Sequence, residues 1–515
     1  MPDNSQHLPQ KFRHGARIAA RRPLLAILLL GLLLGFAFQG ARGLWSPDEG
    51  RYVDGAVHML ATGNWLAPAY SADRLNFSKP PLTYWVIAAS LKTFGHNTWA
   101  ARAPYALAYA LTLLLLYGMG RELVPERPWL PALVYACAPF PFFTANIVST
   151  DVFLCLFEAL AMFGFLRAAF GDVAAHGRRW ILLMWLGFGL AFLAKGPPGL
   201  IPLLAILPFV QRRDGWRGLG RLCAPTGLIV FLLAGGTWYV LAMLRYPWLL
   251  HYFLHREVYD RMFTAVQRRH PGPFGWFVAY VPTLLLGSLP WWPMLLGRKA
   301  RTALAADWRE ARSRPYGPEL FLWLWLLLPL LVFCLVQSRL PLYVLPLFLP
   351  LSLLLALALR QRVALDSTGQ RLALGLWLVA LLAIKAGAAW MAHPAADNRL
   401  AARQLTAQAR GRTYGAVVFV ENTALDYDIE EQTPWGLRLY LDRPIYGIAW
   451  NRPQAAGALC GVLRQNSPAL LALDPAIPPE AVETALAGCG LHGSARLGPW
   501  RRGALILAGG SAAPL

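Results

Sequence analysis

The sequence predicts a polytopic α-helical membrane protein with an extracytoplasmic α/β domain at its C-terminal end. Composition carries the first half of that reading: of 515 residues, 57% are hydrophobic and only 15% charged, where a soluble domain averages about 25% charged. Mean hydropathy is +0.41. The apolar runs are continuous rather than alternating, which excludes a membrane β-barrel. From about residue 397 the pattern changes to short apolar strands alternating with helical stretches, the mark of a small α/β sheet.

The first 22 residues are polar and basic and lead into the run PLLAILLLGLLLGFAF. That run is long for a signal-peptide core, and Arg42 follows where a cleavage site would need small residues. The expectation is an uncleaved first helix with a cytoplasmic start, which puts a first loop, 41–80, outside. Further apolar segments run 81–95, 101–119, 128–146, 152–170, 180–194, 197–210, 222–244, 274–297, 319–336, 340–359 and 372–392.

The net charge of +21 does not point to nucleic acid. Its Lys and Arg cluster between apolar runs: Arg121/Arg127, Arg167/Arg178/Arg179, Arg212 to Arg221, Arg298 to Arg314 and Arg360/Arg362/Arg371. These clusters all fall inside, with anionic lipid head groups as partners, if 81–95 does not cross. That segment is short and opens on Pro80-Pro81, so it reads as interfacial or re-entrant, leaving about eleven crossings. The C-terminal domain then lies outside. A second outer loop, 245–273, has the spacing of an amphipathic surface helix.

The domain reading is therefore 1–22 as a cytoplasmic basic segment, 23–396 as the membrane domain and 397–515 as the outer α/β domain. In the last, YGAVVFV, IYGIAW, PALLALD and GALILAG read as strands. No Gly-rich phosphate loop or nucleophile elbow accompanies them. Cys460 and Cys489 can pair if this domain is exported; their spacing leaves the matter open. Cys137, Cys155, Cys223 and Cys334 lie in apolar runs as inert thiols.

Chemistry concentrates in the first loop, where Asp48, Glu49, Arg51, Asp54, Asp73, Arg74 and Lys79 form a polar island in an apolar chain. Charge at a membrane boundary is costly and marks function by default. Asp48 follows Pro47; Asp151 follows Ser149-Thr150 and opens the next apolar run. Two carboxylates on one face can hold a divalent cation, or one can act as general base. Equally, Asp48 is a turn residue and Asp151 a helix cap. Lys79 offers a point charge to a phosphate or simply snorkels to head groups. Arg51 and Arg261 can add bidentate contacts. Tyr343 reads as well as an interfacial anchor.

In order along the chain, Asp48-Glu49-Gly50-Arg51-Tyr52, Lys79-Pro80-Pro81-Leu82 with Tyr84-Trp85, Asp151, Ala194-Lys195-Gly196-Pro197, Glu257 with Arg261, Leu289-Pro290-Trp291, and Arg339-Leu340-Pro341 with Tyr343 resemble the aminoarabinose transferases of lipid A. They also resemble those enzymes' wider relatives, the protein O-mannosyltransferase-like GT-C glycosyltransferases. The resemblance implies a GT-C membrane enzyme of the bacterial inner membrane. Such an enzyme moves a sugar from polyprenyl (undecaprenyl) phosphate to lipid A or another envelope glycan on the periplasmic face. It implies Asp48 and Asp151 at the reaction centre. Lys79, Arg51, Arg261 and Tyr343 would serve the donor phosphate, supported by Glu49, Tyr52, Tyr84, Glu257 and Arg339.

This chain departs from the family pattern in three places. Ser78 stands where those transferases carry Glu, Val258 where a His is expected, and Arg339 where they carry Lys. A Ser cannot replace a carboxylate as a strong ligand, so a divalent cation would be left with Asp48 and Asp151. A different donor or acceptor is the natural consequence. Transfer to protein hydroxyls is the alternative activity. A lipid-linked transporter is the alternative class, but it would place its charges within the helices, where only Glu158 and Lys385 stand out.

Overall fold

The computed structural model describes residues 10–71, 74–171, 177–260, 264, 269–297, 302, 305, 309, 314, 316–388, 390–391, 396–491, 494–500 and 503–509, with side chains from Pro23 onward. Among the described residues, seven helices are long and apolar enough to cross a membrane. They are Thr98–Leu123, Thr150–Phe170, Gly177–Lys195, Pro225–Arg245, Pro318–Leu335, Pro341–Leu359 and Thr368–Gly387. Pro23–Phe36 and Gly275–Gly287 are shorter apolar helices. The chain divides into two compact units: 1–37 with 105–146 and 150–383, and 38–104 with 147–149 and 384–515.

Proline decides where several apolar runs of the first unit break. The run 128–146 splits into Leu130–Cys137 and Pro139–Thr144, because Pro139 has no N–H to continue the ladder. The run 197–210 begins as a 3-10 turn, Pro197–Leu200, before the Leu203–Leu222 helix. That helix carries its apolar start into the basic cluster and kinks at Gly215, where φ is +66°. The run 222–244 stays one rod, with a π stretch at Leu232–Gly236.

Small residues allow close helix crossings in this unit. Gly31 and Gly35, one turn apart, meet Ala110 and Ala106; a Cβ on Gly31 would lie 2.9 Å from Ala110 Cα. This is the small-xxx-small contact by which membrane helices associate without a hydrophobic driving force.

The second unit contains the first loop and the α/β sheet. Its loop helix, Asp48–Thr62, carries Asp48 and Glu49 in its first turn and ends on Gly63, whose φ of +69° suits glycine. A small antiparallel pair follows, β1 (Ala69–Ser71) with β2 (Arg74–Leu75), and then the helix Leu82–Phe94, 13 residues long. At 1.5 Å per residue that helix is about 20 Å, short of the about 30 Å apolar core of a bilayer.

The sheet comprises β3 (Ala416–Glu421), β4 (Ile445–Ala449), β5 (Ala469–Leu473), β6 (Ala495–Trp500) and β7 (Gly503–Ala508), in the order β4-β3-β5-β7-β6. β4, β3 and β5 are parallel; β7 and β6 are antiparallel. Both faces of the parallel part are covered. Val417, Phe419, Leu470 and Ala472 pack on one side, and Val418, Val420, Leu471 and Leu473 on the other. That is why these strands read as unbroken apolar runs.

β6 escaped the sequence reading because Gly498 and Pro499 break its pattern. Such residues are tolerated on an edge strand with an irregularity at Arg496/Gly498. Cys460 and Cys489, left open above, form a disulfide joining the helices Ala455–Gln465 and Pro479–Gly488.

Candidate functional site

Glu49 is the most heavily used side chain of the first loop. Its Oε1 accepts from Arg102 Nε at 3.0 Å, Arg42 Nη2 at 3.1 Å and the Val148 N–H at 3.0 Å. Its Oε2 accepts from Arg42 Nη1 at 2.6 Å, Arg102 Nη2 at 2.7 Å and the Trp45 N–H at 2.8 Å. Arg102 is fully buried and donates also to the Gln39, Arg42 and Gly43 carbonyls. Burial would raise the Glu49 carboxyl, but the Arg102 and Arg42 charges and hydrogen bonds overcome it and hold it at about 2. A buried charge survives only when paired and saturated in this way.

Asp48, next in the same turn, is the more exposed of the two carboxylates and pairs with Arg51. Arg51 turns its other arm to Glu431 of the helix Asp426–Gln432, at 2.8 Å. Tyr52 is buried and packs its ring 5.8 Å from that of Tyr84.

Asn76 organises the turn before Lys79. Its Nδ2 donates to the Tyr70 and Tyr84 hydroxyls at 2.9 and 3.0 Å, and its Oδ1 accepts from Ser78 Oγ at 2.6 Å. Lys79 Nζ donates to the Ser78 carbonyl at 2.7 Å. Ser78, which stands where the family pattern has Glu, is therefore a turn residue tied to Asn76.

One turn beyond Arg51, Asp54 is fully buried with Arg438 Nε 2.9 Å from Oδ1. The approach angle makes no hydrogen bond, and neither Asp54 oxygen has one. Burial pushes the Asp54 carboxyl up to about 7 against the pull of Arg438. His58 moves the opposite way, to about 4, through burial and the Arg438 charge.

In the first unit, Asp151 opens the Thr150–Phe170 helix, where the positive helix end favours a carboxylate. It is buried and ion-paired with Lys195, at the end of Gly177–Lys195. Lys195 Nζ also lies 4.3 Å from the centre of the Tyr343 ring, a cation–π contact. The Tyr343 hydroxyl accepts from Arg269 Nη1 at 3.4 Å.

Arg339, read from sequence beside the phosphate binders, spends its guanidinium on main-chain carbonyls. These are His270 at 2.9 Å, Gly272 at 2.7 Å and Cys334 at 3.0 Å. Its own N–H bonds the Arg269 carbonyl at 2.9 Å. Glu257 sits in a π stretch, Phe253–Tyr259, near the Tyr252 hydroxyl. Arg261 lies outside the described residues.

The structure thus gathers Asp48, Glu49, Arg51, Tyr52, Lys79 and Tyr84 in one unit and Asp151, Glu257, Arg339 and Tyr343 in the other. Sequence reading missed Arg42, Arg102, Asn76 and Glu431. Among the described residues no group of three His, Cys, Asp or Glu gathers to hold a metal ion. Asp48 and Asp151 are each matched with a basic side chain.

Residues 78–252 match the family model of dolichyl-phosphate-mannose-protein mannosyltransferases. The fold matches the crystal structure of ArnT from Cupriavidus metallidurans bound to undecaprenyl phosphate. The TM-score is 0.74 at 20% identity, covering 95% of this chain and 99% of that one. The class is thereby defined as a polytopic helical GT-C membrane protein.

Two undecaprenyl phosphate-α-4-amino-4-deoxy-L-arabinose arabinosyl transferases are similar in sequence. That of Pseudomonas aeruginosa strain UCBPP-PA14 is 35% identical over 382 residues, 71% of this chain and 66% of that protein. Transferase 2 of Sodalis glossinidius is 33% identical over 337 residues, 65% of this chain but only 58% of the relative. The chain is thus similar in sequence to aminoarabinosyl transferases while spanning less than two thirds of their length.

Proposed function

We propose that this chain is a glycosyltransferase that moves a sugar from an undecaprenyl-phosphate donor to lipid A at the outer face of the inner membrane. The sugar carried by the donors of its relatives, 4-amino-4-deoxy-L-arabinose, is the first to test. The observation that carries this reading is the match, over nearly the whole of both chains, to a protein crystallised with undecaprenyl phosphate. Sequence similarity to aminoarabinosyl transferases accompanies it. The Cys460–Cys489 disulfide supports an oxidising, extracytoplasmic location for the α/β sheet.

In this reaction the bond between the sugar's anomeric carbon and the donor phosphate oxygen breaks, and an acceptor oxygen forms the new one. The leaving group is a polyprenyl phosphate, so cations must stabilise the charge that collects on it. Lys79 supplies one. Tyr343 offers a hydroxyl, with Lys195 over its ring and Arg269 at its oxygen. The resemblance assigns the reaction-centre role to Asp48 and Asp151. A lipid A phosphate is ionised at neutral pH and needs no base, which leaves Asp48 to orient and balance charge; a hydroxyl acceptor would require it as base. Water must be kept out, because it would hydrolyse the activated sugar.

Mass spectrometry of lipid A and glycoproteins from cells with and without the chain tests this reading. A pentose-amine increment on lipid A that disappears with the gene supports it. An unchanged lipid A profile beside altered glycoproteins would transfer the proposal to protein hydroxyls.

A further inference from the structure

Arg51 is shared between two carboxylates, and its guanidinium splits the work by arm. Nη2 holds Asp48 and Nη1 holds Glu431, the latter at 2.8 Å. A guanidinium is a rigid planar fork, so fixing one arm fixes the direction of the other. Exposure separates the partners: the Arg51 side chain is 14% exposed, Glu431 23% and Asp48 44%. Asp48 therefore faces solvent from a fork whose far side is anchored. The anchor is itself braced. In the same short helix as Glu431, Asp426 pairs with Arg74 of β2 at 3.4 Å and with Arg452 at 2.9 Å. The chain on the other side of Asp48 is held through its neighbour Glu49, whose carboxylate accepts from the Arg42 and Arg102 guanidinium groups and the Val148 N–H.

We propose that Glu431 is a positioning residue for the Asp48 site: by holding one arm of Arg51 it keeps the other arm on Asp48. This rests on the transferase reading above. It gives the α/β sheet region, which carries no catalytic motif of its own, a stated part in the chemistry. Without Glu431 the fork is free to rotate away, and Asp48 loses its orientation. A misplaced group lowers the rate of the chemical step rather than donor affinity.

The test uses the purified full-length chain in nanodiscs, with labelled undecaprenyl-phosphate aminoarabinose as donor and lipid A as acceptor. Glu431→Gln is expected to lower kcat at least about tenfold while donor KM stays within about twofold. Glu431→Asp, which keeps the charge on a shorter stem, is expected to recover part of the loss. In an Arg51→Lys background, Glu431→Gln is expected to cost nothing further, since the fork it anchors is gone.

Wild-type kcat in Glu431→Gln would overturn the proposal. So would an equal loss in both backgrounds, or a loss that follows a lowered melting temperature and is not recovered by Asp. Absence of transfer by the wild-type chain would overturn the transferase reading instead, and the wild type is measured first.

Discussion

Val148 donates its main-chain N–H to Glu49 Oε1 at 3.0 Å, across 99 residues of chain. The same carboxylate takes both arms of Arg42, and Nε and Nη2 of Arg102. One buried anion thus ties together the start of the loop helix, the chain leading into it, the first turns of the next long helix and the segment before Thr150. Removing one partner of such a set leaves buried, uncompensated charge.

Glu49→Gln is accordingly expected to destabilise the protein by about 3–5 kcal/mol. Thermal unfolding in detergent, followed by intrinsic fluorescence, measures this. Paired Glu49→Leu and Arg102→Met changes should cost less than the sum of the single changes.

The pH dependence of stability separates Glu49, Asp54 and His58. The Glu49 carboxyl, held at about 2, contributes stability that is complete above the ordinary carboxylate range and is lost as pH falls through about 2. Asp54, pushed by burial up to about 7, binds a proton in the folded state that the unfolded chain releases near 4, so its contribution falls as pH rises toward 7. His58, lowered to about 4, works oppositely, and its contribution rises with pH between about 4 and 6.5. Asp54→Asn should therefore leave a protein whose melting temperature climbs from pH 4 to 6.5 and no longer declines toward pH 7. Melting curves across that range check the sign.

Arg339 makes three charge-assisted bonds to carbonyls, two within the 269–272 turn and one at Cys334. A Lys cannot span them. Arg339→Lys should destabilise by about 1–3 kcal/mol and speed proteolytic cleavage at Arg269, read by limited trypsin digestion.

The Lys195–Asp151 pair and Lys79 make separable predictions. Lys79→Ala should raise donor KM about tenfold or more, the loss expected for one charged contact to phosphate. Lys195→Gln should lower kcat and also destabilise, because Asp151 is buried beside it. Steady-state kinetics with a melting curve for each variant separates the two.

Much of the architecture was legible because the membrane forces it on the sequence. Long apolar runs must be helices, and the both-sides-buried strands around Val418 and Leu471 must be apolar throughout. The reading failed where local pattern and tertiary role diverge. β6 hides behind Gly498 and Pro499. Arg102 stands near the start of an apolar run, a costly position that should have flagged a buried partner. Glu431 lies 380 residues from Arg51, and nothing in its neighbours announces that pairing.

Transfer itself is the most direct measurement: purified chain, undecaprenyl phosphate bearing labelled 4-amino-4-deoxy-L-arabinose, and lipid A, with wild type beside Asp48→Asn. The account predicts labelled lipid A from the wild type and a loss of at least about a hundredfold in the variant, because the reaction centre loses the charge that orients and balances it. Label remaining on the polyprenyl carrier with folded wild-type protein, or equal transfer by Asp48→Asn, would contradict it.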